Sequence, residues 1–168
     1  MSTPAWALLL SFWLHMLATV VWIGALAALA LLVYPVARRL LPADNYAILL
    51  RNLNRRLNPL GWFCLALLIV TGLVQMGANP NYEGLLAVDN AWARAILIKH
   101  VTFGGMIAVS AYQTWGVAPA LARAALLRAG GREPEGEAAL MHRETQLTRL
   151  NLALGVIVLA LTALARTA

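Results

Sequence analysis

Charge is scarce in this chain. Only 12% of its 168 residues are Asp, Glu, Lys or Arg, against about 25% in an ordinary soluble domain. That shortage excludes disorder, a coiled coil and an ordinary soluble enzyme. Cysteine is almost missing too. Cys64 stands alone, so the chain has neither an intramolecular disulfide framework nor a Cys-rich metal site. No C-x-x-C-H occurs, which excludes covalent haem attachment. There is no Gly-rich phosphate loop, no Ser/His/Asp order and no carboxylate pair. The acids number 7, and all are expected outside the long apolar runs. Carboxylate-bridged metal chemistry therefore has no candidate within those runs.

Apolar residues fill the space that charge leaves. They make up 61% of the chain, and mean hydropathy is +0.72. Crossing a hydrocarbon core of about 30 Å takes about 20 helical residues. Four stretches qualify, at about 5–34, 59–76, 92–117 and 150–164. Backbone groups cannot stay unpaired in lipid, so each is expected to be a helix. The expected fold is all-α: a four-helix transmembrane bundle forming a single integral membrane domain over 1–168. The first run is too long for a signal-peptide core and no basic residue precedes it, so it is read as retained.

The formal charge of +6 first suggests nucleic acid, but its placement points elsewhere. Arg38, Arg39, Arg51, Arg55 and Arg56 lie between runs one and two. Arg123, Arg128, Arg132, Arg143 and Arg149 lie between runs three and four. Only Arg94 and Arg166 fall on the other side, and Lys99 lies inside a run. The positive-inside rule puts both arginine loops in the cytoplasm and both termini outside. With the charge explained by topology, a nucleic-acid role loses its support. Trp6 and Trp92 are expected in an outer aromatic belt, and Tyr34, Trp62, Tyr112 and Trp115 in an inner one. Leu41 to Leu57 reads as a short interfacial helix capped by Asp44, with Tyr46, Leu49, Leu50 and Leu53 on one face. Glu137 to Arg149 reads as a helical lead-in to run four.

The chain also reads as two similar hairpins. His15 is followed by Pro35 and Arg38, and His100 by Pro119 and Arg123. Arg56-Leu57-Asn58 and Arg149-Leu150-Asn151 open runs two and four alike. Such hairpins would be related by an axis along the membrane normal. His15 is expected roughly 15 Å deep and His100 roughly 12 Å deep, at 1.5 Å per residue. An ionisable residue within a span is a functional candidate by default. Both histidines are thus expected at similar depth in the outer half, and two imidazoles at one level of a four-helix bundle suit a metal ion or haem iron. Ser11 and Thr19 lie one turn either side of His15. Gly104 lies one turn below His100, beside Gly105, and leaves room for a flat ligand. Arg94 and Lys99 are candidate partners for an anionic group such as a haem propionate. Met16, Met76 and Met106 offer thioethers suited to Cu(I). Cys64 reads as an apolar filler and His142 as a solvated loop residue.

The pattern His15-x6-Trp22-x-Gly24, with Pro35 and Arg38 at the inner end of run one, Thr71-Gly72 late in run two and Lys99 early in run three, resembles the copper resistance protein D (CopD) family over most of the chain. The resemblance implies a multi-pass protein of the inner (plasma) membrane and copper uptake or export. More distantly, the chain is similar to HemJ-type protoporphyrinogen oxidases. These are four-span proteins that bind haem b and carry a span-one histidine before a Trp and a span-three lysine, here His15 and Lys99. Their Asn-Glu-x-Pro-like motif is not matched, because Leu152 follows Asn151.

The leading expectation is a b-type haem between runs one and three near the outer leaflet, held by His15 and His100. Ser11, Thr19, Gly104, Lys99 and Arg94 would surround it. With no open iron position, it would serve electron transfer with a quinone or an outer redox partner. One alternative is copper binding or transport through His15, His100, Met16 and Met76. Others are a HemJ-like oxidase, or a homo-oligomer or small subunit within a larger membrane complex. Apart from the HemJ-like reading, a redox or metal-binding role is expected rather than classical enzyme chemistry. Lipid is the partner common to all these readings. The charge placement makes one prediction directly. Alkaline phosphatase fused after residue 168 is expected to be active in cells, and green fluorescent protein there to be dark. The reverse pattern would invert the topology.

Overall fold

The computed structural model describes residues 4–84, 86, 88–132 and 134–167. Four helices dominate it: α1 Ala5–Leu40, α2 Ala43–Gly77, α3 Ala91–Arg128 and α4 Glu137–Thr167. Each is long and apolar enough to cross a membrane, and no strand occurs among the described residues. Helices of 31 to 38 residues are about 45–57 Å long at 1.5 Å per residue. All four therefore overshoot a hydrocarbon core of about 30 Å. The overshoot lies mainly toward the arginine-rich end.

This length corrects one expectation. Leu41 to Leu57 is not a separate interfacial helix, because α2 runs unbroken from Ala43 through Pro59 to Gly77. A proline interrupts a helix by removing one N–H and crowding the carbonyl four residues back. Here that carbonyl belongs to the exposed Arg55, where water can satisfy it. Asp44 does not cap the helix: Pro42 precedes it and no side chain caps it. Asp44 instead accepts a hydrogen bond from Arg128, which also pairs with the buried Glu137. One guanidinium thus ties the starts of α2 and α4 to the end of α3. The lead-in from Glu137 to Arg149 is helical as expected and continuous with the last span.

Both α1 and α3 widen just before a proline. The Tyr34 N–H bonds back to Leu29, and the Ala118 N–H to Gln113, five residues rather than four. The wide segments are Ala28–Val33 and Gln113–Val117. Pro35 and Pro119 follow them. The extra residue in the turn absorbs the missing N–H and the ring of the proline. The same adjustment at the same place in both helices matches the likeness of the two hairpins.

Packing follows the hairpins. α1 lies along α2 and α3 along α4, with α4 also touching α1. On α1 the buried residues are Ser11, Ala18, Trp22, Leu26, Ala30, Tyr34 and Ala37, a stripe at three- and four-residue spacing. The central core joins Ala18, Trp22 and Leu26 to Cys64, Leu65, Leu68 and Met106. A second cluster at the arginine end joins Tyr34 and Ala37 to Tyr46 and Leu50. A third at the opposite end holds Met76, Trp92 and Ala93. Trp92 and Tyr34 are thus packing residues rather than belt residues. Trp6, Tyr112 and Trp115 are exposed as a belt requires.

Helices in lipid gain little from apolar contact, so close approach rests on small residues. Gly155 is such a residue: a Cβ there would stand 3.3 Å from Met106 Cε and 3.5 Å from Ile23 Cδ1. Gly24 faces open space. Gly155→Leu is therefore expected to cost about 1–3 kcal/mol by overpacking, and Gly24→Ala to be near neutral. Thermal unfolding in detergent reads both, and equal behaviour of the two variants would refute this packing.

Candidate functional site

The stripe that buries α1 against α2 carries polar groups at the end away from the arginines. Ser11 Oγ donates to the Thr71 carbonyl at 3.0 Å. Gln75 Nε2 donates to the Ser11 carbonyl at 3.2 Å. His15 Nδ1 lies 2.8 Å from Thr71 Oγ1. Thr71 in turn donates its hydroxyl proton to the Leu67 carbonyl at 2.6 Å. The Thr71 oxygen must then accept from His15, which fixes the proton on Nδ1 and leaves the Nε2 lone pair free. Gly72 gives the ring its place: a Cβ there would stand 3.6 Å from His15 Cε1.

His100 is prepared in the same sense by a different partner. Its Nδ1 lies 2.7 Å from the Ile96 carbonyl. A carbonyl only accepts, so this ring also carries its proton on Nδ1 and presents a bare Nε2. An imidazole whose far nitrogen is held by an oxygen is the usual form of a histidine that ligates a metal. One turn below His100, Gly104 leaves open space, with nothing within 4 Å of a Cβ placed there. Gly105 packs against Leu154.

The two rings are anchored separately, His15 to α2 and His100 to its own helix. Their relative level follows from Trp22 and Phe103, which meet edge to face at 6.1 Å between ring centroids. His15 is seven residues outward from Trp22, and His100 three residues outward from Phe103. His15 therefore sits about one turn, roughly 6 Å, farther from the arginine end than His100, so the two are not at one level as expected. Among the described residues, no three His, Cys, Asp or Glu side chains converge as a metal-binding group. An ion held at His15 and His100 would therefore find no third His, Cys, Asp or Glu ligand among the described residues.

The other predicted residues fall as follows. Lys99 is half-buried and directly precedes His100 on α3. Arg94 is exposed and donates to the Val88 carbonyl at 3.3 Å. Thr19 donates to the His15 carbonyl at 2.8 Å rather than to its ring. Met16 is 67% exposed and turned away from the bundle. Met76 is buried with Trp92 and Ala93, and Met106 lies in the central core with Cys64. His142 is exposed and hydrogen-bonded to Gln146.

A second polar group lies at the arginine end, where the charge reading expected no acid within the bundle. Glu144 is only 2% exposed, and Thr148 and Asn151 are as buried. Gln113 Nε2 reaches Glu144 Oε1 at 3.3 Å and Thr148 Oγ1 at 3.0 Å. Asn151 Nδ2 donates to Ser110 Oγ at 2.8 Å. The sequence signal was present: Glu144, Thr148 and Asn151 repeat at helical spacing on one face.

Compared with known proteins, residues 51–165 match the family model described as copper resistance protein D, about two thirds of the chain. The match includes Thr71, His100 and Glu144 and begins after His15. No curated protein and no solved structure matches the chain.

Thr71 is the hinge of the outer network, which yields a prediction. Thr71→Val keeps the shape but strips the acceptor from His15, and is expected to cost about 1–3 kcal/mol. Thr71→Ser is expected to retain most of the stability. Thermal unfolding of both variants checks the pair, and equal losses would remove the hydroxyl from the account.

Proposed function

This chain belongs to the copper resistance protein D family, and from that premise we propose that it binds copper within the membrane as cargo, through Nε2 of His15 and Nε2 of His100. The observation that supports this reading is the shared preparation of the two rings. Each spends its Nδ1 proton on an oxygen, the Thr71 hydroxyl or the Ile96 carbonyl. Each is left with a neutral lone pair in a water-poor setting. Neutral imidazoles suit copper. Met76, buried at the outer end, is the thioether placed nearest to the route from that side. Met16 faces away and has no part in this reading.

The role of each group follows from its chemistry. His15 and His100 hold the ion, about one turn apart along the bundle. Thr71 orients His15, and Ser11 with Gln75 fixes the Thr71 segment. The open notch at Gly104 gives access beside His100. Both arginine-rich loops lie in the cytoplasm in this reading, so the histidines sit toward the outer leaflet.

Lys99 favours a second reading. An ammonium on the residue next to His100 opposes a metal cation at that site and complements a carboxylate. A b-type haem with His15 and His100 as ligands and Lys99 at a propionate meets that condition. It would carry electrons to or from a quinone or an outer partner. Arg94 is exposed at the same end and is available for the second propionate.

Elemental analysis and a pyridine haemochrome assay on protein from copper- and haem-replete cells separate the readings. The first predicts copper without porphyrin, with affinity lowered at least about tenfold in His15→Ala and in His100→Ala. A Soret band with no copper would replace it by the second. Neither ligand, or copper unaffected by both substitutions, would refute the histidine site altogether.

A further inference from the structure

The described residues enclose a cavity of about 70 Å³ toward the arginine end, among all four helices. At roughly 30 Å³ per water, that is room for about two small guests. Tyr34 of α1, Asn54 of α2, Gln113 of α3, and Glu144, Thr148 and Asn151 of α4 line its polar side. Several donors around it are already committed, while the amides of Asn54 and Asn58 also line it without a committed partner. Gln113 gives its amide protons to Glu144 and Thr148. Thr148 donates to the Glu144 carbonyl at 3.0 Å. Asn151 gives its amide to Ser110. Three buried atoms are left without partners: Glu144 Oε2, Asn151 Oδ1 and Tyr34 Oη. All three residues are at most 2% exposed.

Two of those atoms can only accept when Glu144 is ionised, and Tyr34 can offer them a single proton. The cavity is therefore short of positive charge. An unpaired buried carboxylate is costly, so Glu144 either takes up a proton or gains a guest that supplies positive charge. The ligand atoms on offer are all oxygens, with one formal negative charge among them. Oxygen donors select hard ions over the soft Cu(I). Divalent ions such as Ca²⁺ usually gather several carboxylates, and here only one reaches the cavity.

We propose that Glu144, Asn151 and Tyr34 form a binding site for one monovalent alkali cation at the arginine end of the bundle. The site is separate from His15 and His100 and does not depend on what they bind. Its ligands come from α1 and α4, and the groups that hold them from α2 and α3. An ion there ties the two hairpins together, so occupancy reads out as stability.

The test is thermal unfolding of the purified full chain in detergent at fixed pH and equal ionic strength. The salts compared are NaCl, KCl and choline chloride. The wild type is expected to melt higher in NaCl or KCl than in choline, by on the order of 2–4 °C, with a saturable dependence on the ion. Glu144→Gln is expected to fold and to lose that dependence. Equal melting of the wild type in all three salts would overturn the proposal and leave the cavity to water or a proton. So would a Glu144→Gln variant that keeps the full ion dependence. The wild-type comparison decides the matter even if the variant fails to fold.

Discussion

The bundle is governed by the absence of water around it. Hydrocarbon offers no hydrogen bonds, so each polar group on a span must be satisfied by the protein. Side chains of α1, α3 and α4 meet this locally: Thr19, Thr102 and Thr162 each bond to the carbonyl four residues back. The remainder bond across helices, and those bonds are unevenly placed. In the first hairpin they gather at the end away from the arginines, around Ser11, His15, Thr71 and Gln75. In the second they gather at the arginine end, around Ser110, Gln113, Glu144, Thr148 and Asn151. The hairpins are alike in backbone and opposite in where their polarity lies.

That division gives the molecule two chemically distinct ends. The end away from the arginines offers imidazole nitrogens whose tautomer is set by neighbouring oxygens. The arginine end offers carboxylate, amide and phenol oxygens. Between them stands an apolar core containing Trp22, Cys64, Leu65, Leu68 and Met106. Few bonds join the hairpins across it, chiefly Trp62 to Thr114 at 3.1 Å, reinforced by stacking of Trp62 on Trp115 at 5.1 Å. The wide turns before Pro35 and Pro119 lie below this core. They let both helices keep their buried stripes in register despite the proline.

Much of this was legible in the residues. The number of spans and the side on which charge collects follow from hydropathy and from Arg placement. The likeness of the hairpins showed in His15, Pro35, His100 and Pro119. What the sequence concealed has physical causes. Pro59 looked like a boundary, yet its disrupted carbonyl lies where the helix is exposed, so α2 continues. Tyr34 and Trp92 looked like belt residues because amphipathic aromatics serve both roles, and only their burial tells them apart. Glu144 was placed in the helical lead-in outside run four because hydropathy windows ended near Leu150. The helix begins at Glu137, and α2 extends equally far beside it, so a residue beyond the apolar window is still enclosed. Thr71 drew notice only through family resemblance, since a lone Thr in an apolar run is usually satisfied by its own helix. Its proton does go there, and its oxygen is left for His15.

Lys99 is where the two readings of the outer site differ in sign. Were the Lys99 ammonium about 6–8 Å from an ion held at the histidines, the two charges would repel by about 2–3 kcal/mol at an effective dielectric near 20. A copper ion at His15 would meet that repulsion, at a tenfold loss of affinity for each 1.4 kcal/mol. A haem carboxylate beside the same ammonium would gain by a similar amount. The long stem of Lys99 lets its head move toward the outer surface, which relieves the repulsion in the first case and forfeits the gain in the second. Removing the charge while keeping the stem, as in Lys99→Met, thus strengthens a metal cation at His15 and weakens a carboxylate-bearing cofactor. The direction of that change separates the readings without reference to which ligand is found first.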